Sequence, residues 1–392
     1  MSSTLSESPR IRSAVASGSF LPYTMSWIYR QMSSPVIDTT TVVCSDVENA
    51  DIFPHENILH IGQQPPWQKA IKGKLWSFFG LVEIKLASRR ISQIKATFKR
   101  DNIQLLHVHF GTYAVFFLEI CKELNIPMIV TFHGFDISSA FNRWPAYRKK
   151  FPELLQQIKY AVVISEEMKH RMVASGCPAD KVRVSYLGVP TDEFSYHDRS
   201  DHTGPVKFLH AGRLTAKKGV PDLVRAFARA FGETGGAELW IAGDGEEKQM
   251  IVNTINECNV ESRVKMFGKT SNEQMMQLRK DADVFVLNCR TDTAGTKEGL
   301  PIATLEAAAT GLPAVTTFHA GIPESVVNGR TGILADEFDN EGLAAAMLKM
   351  MDENTRLTMG RNARKFMEEK FSLEQCNAVL KNIYAEAITN NN

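Results

Sequence analysis

Short apolar runs alternate with longer amphipathic segments along almost all of this 392-residue chain. A short apolar run suits a buried strand, and the amphipathic segment between two such runs suits the helix that connects parallel strands. The repetition predicts βαβ units and doubly wound parallel sheets, an α/β fold class. The predicted strands are 13–16, 40–44, 105–110, 128–132, 160–164 and 182–186 in the first half, and 206–211, 238–242, 264–267, 284–287 and 314–317 in the second.

The length of the chain favours two domains, because one hydrophobic core rarely organises so many residues. We expect a first Rossmann-like domain at 1–190, a linker at 191–205 and a second Rossmann-like domain at 206–371. The segment 372–392 is predicted to be a helix that packs back onto the first domain. Two doubly wound domains that face each other place a ligand cleft at the carboxyl ends of their strands.

Cysteine use and hydropathy bear on the compartment. The six cysteines include no Cys-x-x-Cys pair, which favours reduced thiols in a cytoplasmic protein over disulfides or a zinc site. Residues 1–10 are polar and unlike a signal peptide, and no apolar run is long enough to span a bilayer. We therefore expect a cytoplasmic protein, with peripheral contact to the inner face of the cell membrane left open.

The segment Lys297–Ala307 places two acidic residues around a predicted helix start. It follows the strand predicted at 284–287, and Pro301 suits a first helical position because its φ is already helical. Glu298 is then expected in a loop at a strand end, and Glu306 about two turns into the helix. Because the free N–H groups of a helix start attract phosphate, the segment predicts a site for a polyhydroxylated ligand that carries phosphate.

Two basic residues follow the strand predicted at 206–211. Arg213 and Lys218 lie between Gly212 and Gly219, and Arg and Lys are the usual ligands of phosphate oxygens. Two solvated loop charges are the alternative for a lone pair of this kind. The position after a strand, with glycines that allow close backbone approach, favours the phosphate site.

Further glycines follow the next strands. Gly243 and Gly245 form a Gly-x-Gly pair, but Lys248 stands where a dinucleotide-binding fingerprint needs its third glycine, so NAD is not favoured. Both a close approach to a ligand and a simple tight turn stay open for this pair. Phe267 and Gly268 likewise suit either a shelf for a flat base or a turn that ends a strand.

In their order along the chain, these residues resemble the donor-binding domain of the retaining glycosyltransferases of family 4, which have the GT-B fold of two Rossmann-like domains. The resemblance covers roughly 207–371. It rests on the combination of Arg213, Lys218, Gly243–Gly245, Phe267-Gly268, Glu298, Glu306 and Gly321–Glu324. The longer string Thr316–Glu324 resembles the subgroup that builds bacterial exopolysaccharides, including the colanic-acid type.

The resemblance implies a role for each matching residue. Arg213 and Lys218 would hold the diphosphate of a nucleotide sugar, Glu298 the hydroxyls of the transferred sugar, and Glu306 the ribose. The expected catalytic residues are His133, Arg213, Lys218 and Glu298. The expected donor-binding residues are Gly18, Ser19, Gly212, Gly243, Gly245, Phe267, Gly268, Gly299, Leu300, Pro301 and Glu306.

The first half departs from the family pattern in one place. Where the wider family has a Gly-Gly loop after its first strand, residues 16–22 contain Gly18 as their one glycine, so the amides of Gly18 and Ser19 are expected near the leaving phosphate. The resemblance places His133 beside the sugar and that phosphate as a hydrogen-bond donor. The expected acceptor-side residues are His109, Gly134 and Asp136. His107 shares a strand face with His109, and structural roles are favoured over a metal site.

Basic and aromatic residues interleave in residues 67–100. A helix lying on an anionic membrane surface and a surface helix whose aromatic residues face the core are equally favoured. Residues 143–150 form a second basic and aromatic patch. Nucleic acid is not expected as a partner, because the total charge is balanced and no recognisable reading module is present.

The expected reaction moves a hexosyl group from a nucleotide-diphosphate sugar to a saccharide or polyprenyl-linked saccharide, with retention at the anomeric carbon. No carboxylate is placed as a nucleophile, so front-face attack is favoured over double displacement. The nucleotide sugar is a co-substrate, and no cofactor and no metal are expected, because protein cations neutralise the diphosphate.

Two alternatives from other classes stay open. One is a non-catalytic subunit that binds nucleotide sugars within a polysaccharide assembly complex, which would tend to lose some of Arg213, Lys218, Glu298 and Glu306. The other is an epimerase or phosphorylase on the same scaffold, ranked last. The sequence leaves the sugar, the base and the acceptor undetermined.

Overall fold

The computed structural model describes residues 11–20, 25–62, 86–201, 203–232 and 235–389. The chain divides into two compact units. The first unit comprises Met1–Ile164, Lys169–Ser185 and Cys376–Asn392, and the second comprises Ser165–Met168 and Tyr186–Gln375. Each unit is built on its own parallel sheet.

The sheet of the first unit has seven strands in the order β3-β2-β1-β4-β5-β6-β7. Every neighbouring pair is parallel, and the chain reverses its direction of travel across the sheet between β1 and β4. The strands are β1 Ser13–Phe20, β2 Thr39–Val47, β3 Ile58–His60, β4 Leu105–His109, β5 Met128–Phe132, β6 Tyr160–Val163 and β7 Val182–Val184. In such sheets ligands bind at the carboxyl ends of the strands beside the reversal.

The sheet of the second unit has six parallel strands in the order β10-β9-β8-β11-β12-β13. Its reversal lies between β8 and β11. The strands are β8 Val206–Ala211, β9 Ala237–Ala242, β10 Val264–Gly268, β11 Val284–Leu287, β12 Ala314–Thr317 and β13 Gly332–Ala335.

Helices connect the strands in both units. Those that begin before residue 200 are α1 Ser26–Met32, α2 Ser88–Arg100, α3 Gly111–Ala114, α4 Leu118–Leu124, α5 Ala140–Arg143, α6 Pro145–Gln157 and α7 Glu166–Ala174. The later ones are α8 Val220–Phe231, α9 Lys248–Glu257, α10 Asn272–Asp281, α11 Ile302–Ala309, α12 Ile322–Ser325, α13 Asn340–Lys349, α14 Glu353–Lys370 and α15 Leu373–Thr389. Their apolar residues cover the faces of the sheets, as a buried parallel sheet requires.

The core of the second unit shows how the sequence positions the site. On α8, the residues Leu223, Val224 and Phe227 recur at helical spacing and are fully buried against Phe208 of β8. Pro221 stands in the first turn of α8, where its missing N–H costs nothing. The loop between β8 and α8 is therefore fixed at both ends by buried elements.

The last helix, α15, contributes to the core of the first unit. Leu380, Ile383 and Tyr384 are buried together with Leu105 of β4 and Ile129 of β5. The hydroxyl of Tyr384 also bonds to a buried histidine of β4, described below. The apolar face of α15 is thus covered by the sheet.

Residues 191–205, expected to be a linker, are held against the second unit by an arginine. Arg199 donates to the carbonyl groups of Ala282 at 2.7 Å, Arg279 at 2.8 Å and Thr310 at 2.9 Å. Burial lowers the pKa of Arg199 to about 10. Because a buried guanidinium needs partners for its N–H groups, this residue fixes the segment to the surrounding loops.

Each of the eleven strands expected from the sequence overlaps a strand of the structure. Two strands were missed, β3 and β13, which are only three and four residues long. β1 runs to Phe20 rather than ending at Ala16, because its pairing with β2 continues to Val47. The expected alternation of strands and helices is confirmed.

Candidate functional site

The turn that follows β8 presents two lysines beside the strand reversal. Ala216–Lys218 form a single 3-10 turn. Its carbonyl groups are held by Arg290 from the loop after β11, which donates its backbone N–H to Lys217 at 2.9 Å and its Nε–H to Ala216 at 3.2 Å. Arg290 is also paired with Asp222 of α8. The turn is thereby fixed to the two strands that flank the reversal.

Both lysines of this turn converge on one carboxylate. The Nζ atoms of Lys217 and Lys218 each lie 3.0 Å from Oε1 of Glu298. The three side chains are only 11–14% exposed, so solvent screens their interaction weakly. We call Lys217, Lys218 and Glu298 the lysine–glutamate cluster. Its formal charge is +1, and it can therefore attract a further anion.

The pKa values agree with an ionised cluster. Burial by itself raises the pKa of Glu298, but Lys218 and Lys217 outweigh it and hold that pKa well below its ordinary value. Burial likewise disfavours the charged form of Lys218, but Cys289 and Glu298 raise its pKa above the ordinary value. Lys218 and Glu298 are therefore both charged at neutral pH.

Arg213 lies in the same loop and is exposed to solvent. Its positive charge opposes the protonation of Lys218. A Cβ atom on Gly212 would lie 3.6 Å from Cε of Lys218, in ordinary contact. The structure therefore brings Lys218 and Glu298 together and places Arg213 in the same loop as Lys218.

Lys217 and Arg290 were missed in the sequence. Lys217 is the neighbour of the predicted Lys218, and a sequence cannot say which lysine of such a pair faces a carboxylate. Arg290 acts from the next loop through its contacts with backbone carbonyl groups, for which the sequence has no signal. The loop is reinforced by Asn288, whose Nδ2 donates to the carbonyl of Gly219 at 2.9 Å.

The Gly-x-Gly pair after β9 is required by packing of one backbone against another. A Cβ atom on Gly243 would lie 1.9 Å from the carbonyl oxygen of Gly212, and φ of Gly243 is 146°. A Cβ atom on Gly245 would lie 2.4 Å from the carbonyl oxygen of Leu214. The tight turn thus has a direct structural reason, and contact of these two glycines with a ligand stays a prediction.

Phe267 and Gly268 end β10 in a more open setting. The ring of Phe267 is 41% exposed and packs edge to face with Trp240 at 5.5 Å. Gly268 has a φ of 66°, and a Cβ atom there would meet nothing within 4 Å. An exposed ring beside open backbone suits a flat partner.

The start of α11 lies directly after Glu298. Pro301 is the residue that precedes the first helical residue, not the first helical residue itself, and no side chain caps this terminus. The first-turn amides of Ile302 and Ala303 are thus without a side-chain partner, as an anion site needs. Leu300 is buried, and Gly299 accepts a hydrogen bond from the N–H of Gly321 at 3.0 Å.

Glu306 is the fifth residue of α11, so it lies one turn into the helix rather than two. Its carboxylate pairs with the guanidinium of Arg279, which is buried in α10. The ring of Phe194 lies 5.3 Å from that guanidinium and covers it. Arg279 was not expected from the sequence, and it fixes the position of Glu306.

The backbone of Glu298 is held by a buried histidine. Its N–H donates to Nε2 of His319 at 3.0 Å, and Nδ1 of His319 lies 2.7 Å from Oε1 of Glu337. Oε2 of Glu337 accepts the N–H of Thr291 at 2.7 Å. His319 entered the sequence prediction only as part of a family string, and Glu337 was missed.

In the first unit, the predicted residues Gly18 and Ser19 lie inside β1. Ser17 pairs with Cys44 and Ser19 with Asp46 of β2. They were expected in a loop after a strand that ended at Ala16, and this expectation is wrong because β2 continues the pairing. Their part in binding phosphate stays a prediction.

Three histidines form a buried cluster at the carboxyl ends of β4 and β5. Nδ1 of His109 lies 3.3 Å from Nε2 of His133, and His107 bonds to Thr131 and Tyr384 at 2.7 Å each. Among the described residues, Nε2 of His109 and Nδ1 of His133 have no hydrogen-bond partner. Burial lowers the pKa of each of the three, that of His109 to about 3. The three imidazole rings are therefore uncharged at neutral pH.

Asp136 is fully buried beneath this cluster. Its carboxylate accepts the N–H of His133 at 2.9 Å and that of Gly111 at 3.0 Å, which joins the loops after β5 and β4. Burial raises its pKa to about 6. The side chain was expected on the acceptor side, but both its oxygens hold backbone, and Gly134 supplies the turn between with a φ of 100°.

The basic segment 67–100 lies partly outside the described residues, which resume at 86. In α2, Ile94 and Phe98 are buried while the basic residues are exposed or half-buried, so this part is a surface helix with its aromatic residue in the core. In the second patch Tyr147 is buried, whereas Trp144 is 41% exposed with Arg143 5.5 Å from its ring centre. Contact with a membrane stays a prediction for both segments.

Among the described residues, no group of three or more His, Cys, Asp or Glu side chains is arranged to bind a metal ion. Within the same ranges, every helix is too short or too polar to cross a bilayer.

Two glycosyltransferase families match the chain in succession. The family described as Glycosyltransferase Family 4 matches residues 39–193, and the family described as Glycosyl transferases group 1 matches residues 193–366. The second match contains the lysine–glutamate cluster, and the first contains the histidine cluster.

Individual relatives come from bacterial exopolysaccharide synthesis. The amylovoran biosynthesis glycosyltransferase AmsK of Erwinia amylovora is 34% identical over 247 residues, which cover 62% of this chain and 60% of that protein. WcaL of Escherichia coli K12, named for colanic acid biosynthesis, is 30% identical over 299 residues, which cover 74% of this chain and 72% of that protein. The match to AmsK thus spans less than two thirds of its length.

Solved structures confirm the fold. Anabaena HepE, solved in complex with UDP and glucose, superposes with a TM-score of 0.77 at 16% identity and covers 96% of this chain and all of that one. At this identity the likeness shows the architecture alone.

Proposed function

Because the chain belongs to the group 1 glycosyltransferase family, we propose that it transfers a sugar from a nucleoside-diphosphate donor to a saccharide acceptor, with retention at the anomeric carbon. The names of AmsK and WcaL support surface polysaccharide synthesis as the process, and for the acceptor we propose a saccharide or lipid-linked saccharide. The HepE complex with UDP supports uridine diphosphate as the first donor nucleotide to test.

The lysine–glutamate cluster is the observation that carries this proposal. It combines two ammonium groups, one carboxylate and an uncapped helix start at the carboxyl edge of a doubly wound sheet. A diphosphate needs cations and amide donors, and a sugar needs a carboxylate that accepts from its hydroxyl groups. One position supplies both requirements.

The main barrier to transfer is the departure of the nucleoside diphosphate. As the bond from the anomeric carbon to the phosphate oxygen breaks, both bonding electrons leave with the phosphate and the sugar gains oxocarbenium character. Lys218, Arg213 and the first amides of α11 stabilise the growing negative charge. They are fixed before the reaction, so little reorganisation opposes it.

The acceptor completes the reaction on the same face of the sugar. Its hydroxyl oxygen forms the new bond to the anomeric carbon, and its proton passes to the departing phosphate oxygen, so no protein base is needed. Glu298 accepts hydrogen bonds from hydroxyl groups of the transferred sugar while Lys217 and Lys218 keep it ionised. The scheme uses no divalent metal, because the cations of the chain neutralise the diphosphate.

We also propose a part for His133 of the first unit. His133 has one buried ring nitrogen, Nδ1, without a partner among the described residues, and the other faces His109. In our proposal this nitrogen bonds to the sugar or to the leaving phosphate. His109 limits the ring to a tautomer that suits their shared hydrogen bond.

Binding and turnover by the purified chain test the proposal. Thermal shift with uridine, guanosine and adenosine diphosphates identifies the base, and transfer from the matching nucleotide sugars, with NMR of the product anomer, identifies the reaction. We expect one nucleotide to stabilise the chain and its sugar to be transferred with retention. Product of inverted configuration would overturn the retaining mechanism, and binding without transfer or donor hydrolysis would favour a non-catalytic subunit.

A further inference from the structure

His319 accepts the backbone N–H of Glu298 through its side chain. It follows β12, its side chain is fully buried, and both ring nitrogens are engaged. A second contact lies beside the first, where the N–H of Gly321 donates to the carbonyl of Gly299 at 3.0 Å. The loop after β12 thus holds the peptide unit before the Glu298 α-carbon and the peptide unit after the Gly299 α-carbon.

The contacts of His319 determine its tautomer. A backbone N–H can only donate, so Nε2 must accept and carries no proton. Nδ1 therefore carries the proton and donates it to Glu337 at 2.7 Å. A protonated imidazolium, or the tautomer with hydrogen on Nε2, would lose the bond to Glu298.

Glu337 follows β13 and joins three neighbouring strand ends. One carboxylate oxygen accepts from His319 after β12, and the other accepts the N–H of Thr291 after β11 at 2.7 Å. The bonds of His319 to Glu298 and to Glu337 join loops of adjacent strands, and the bond of Glu337 to Thr291 reaches from the loop after β13 to the loop after β11. Glu337 thereby sets the ring orientation, as carboxylates do for histidines that bind metals.

We propose that His319 and Glu337 are positioning residues that hold the backbone of Glu298 so that its carboxylate meets the lysines and the transferred sugar. The inference rests on the proposed function and adds to it two residues that need not touch the substrate. A small displacement of a group that orients a substrate lowers the rate far more than it lowers stability, because the reacting geometry is narrow.

The electrostatic setting of His319 favours the neutral ring. Burial lowers its pKa, and this outweighs the opposite effects of Glu337 and Glu298, while Lys297 acts in the same direction as burial. These are the titratable groups that face the ring. When acid finally protonates Nε2, the acceptor for the N–H of Glu298 disappears, so the role predicts a loss of transfer on the acid side.

Two substitutions distinguish the contribution of Nε2 of His319 from that of Nδ1. In His319→Gln the side-chain oxygen reaches the position of Nε2 and can still accept from Glu298, whereas His319→Asn places its amide near Nδ1 and loses that acceptor. We expect kcat/KM for the nucleotide sugar to fall about 100-fold in H319N and less than about tenfold in H319Q. Binding of the nucleoside diphosphate alone should change little in both.

The remaining readouts exclude a merely structural role. The acid limb of the pH–rate profile should move in H319Q, because an amide does not titrate, and Lys365→Ala serves as the control because Lys365 is exposed on α14. Nitrogen-15 NMR of the wild-type ring, assigned by the signals that H319Q lacks, should show hydrogen on Nδ1 and none on Nε2 at neutral pH. This measurement reads the wild-type ring itself and needs a folded variant, H319Q or H319N, only for the assignment.

Equal losses in H319N and H319Q that follow equal losses of melting temperature would overturn the inference, as would an Nε2–H tautomer. Failure of the proposed function looks different, because the wild-type chain itself would then neither bind a nucleoside diphosphate nor transfer a sugar.

Discussion

The two units follow one rule of construction but place opposite chemistry at the edges of their sheets. In the second unit, the loops after β8 and β11 bring two lysines and a carboxylate together, with Lys218 and Glu298 ionised. In the first unit, the loops after β4 and β5 bring together three histidines whose pKa values are lowered by burial, with Trp27 packed against two of them. We call the first the charged edge and the second, for its uncharged imidazole rings, the neutral edge.

Under the proposed function, this difference corresponds to a division of work. A charged edge attracts a diphosphate and stabilises it as it leaves, and it should respond to salt. A neutral edge orients hydroxyl groups through hydrogen bonds and should respond little to salt. The same topology supports both because the side chains at the strand ends, not the sheet, determine the chemistry.

The largest effect is expected from removal of the cations. Arg213→Ala combined with Lys218→Ala should lower kcat for transfer by at least about 100- to 1,000-fold, since two groups that stabilise the leaving phosphate are lost. Circular dichroism should show an intact fold, and Lys365→Ala should retain full activity. A double variant as active as the wild type would remove the charged edge from the mechanism.

Glu298→Ala should separate sugar recognition from nucleotide binding. The affinity for the nucleotide sugar should fall about tenfold or more, because hydrogen bonds to a charged acceptor are lost. The affinity for the nucleoside diphosphate alone should stay equal or rise, since the carboxylate no longer occupies Lys217 and Lys218. Calorimetric titration of both ligands measures the difference, and equal losses for both would indicate a structural residue.

A smaller effect is expected at the neutral edge. His133→Phe should lower kcat about tenfold, which corresponds to the loss of one or two hydrogen bonds, and should leave the affinity for nucleoside diphosphate unchanged. Added salt should weaken nucleotide binding equally in this variant and in the wild type. If the variant lost its salt dependence, the proposed division between the two edges would be wrong.

The histidines of the neutral edge should also make the free energy of unfolding depend on pH. The pKa of His109 is about 3 in the folded chain and 6.5 for an ordinary histidine. Between these values the unfolded chain binds a proton that the folded chain does not, so the free energy of unfolding falls as the pH falls below 6.5. At pH 5 this residue should account for about 2 kcal/mol.

The variant His109→Leu isolates that contribution, because the other titrating groups are shared with the wild type. Urea unfolding at about pH 7.5 and at about pH 5 should show a smaller loss of stability on acidification in the variant. An identical pH dependence in both chains would mean that His109 is accessible to protons in the folded state.

The sequence was sufficient for eleven of the thirteen described strands, because their apolar runs stand out between more polar segments. It placed Arg213, Lys218 and Glu298 at strand ends of one sheet, and the structure brings these ends together. It missed β3 and β13, although β7, β11 and β12 are equally short, and it ended β1 too early, because pairing with the neighbouring strand decides the length of β1.

The sequence could not identify the residues that support the site. His319 and Glu337 are 18 positions apart, and they meet because β12 and β13 are neighbours in the sheet. Arg279 and Arg290 act on a carboxylate and on carbonyl groups that come from other loops. Contacts of this kind depend on tertiary packing, for which a single sequence holds no local pattern.

A solved complex with uridine diphosphate tests the central claim most directly. We expect phosphate oxygens at about 3 Å from Nζ of Lys218 and from the guanidinium of Arg213, with the β-phosphate at the first amides of α11. A diphosphate bound elsewhere on the chain, with these groups at a distance from it, would contradict the account.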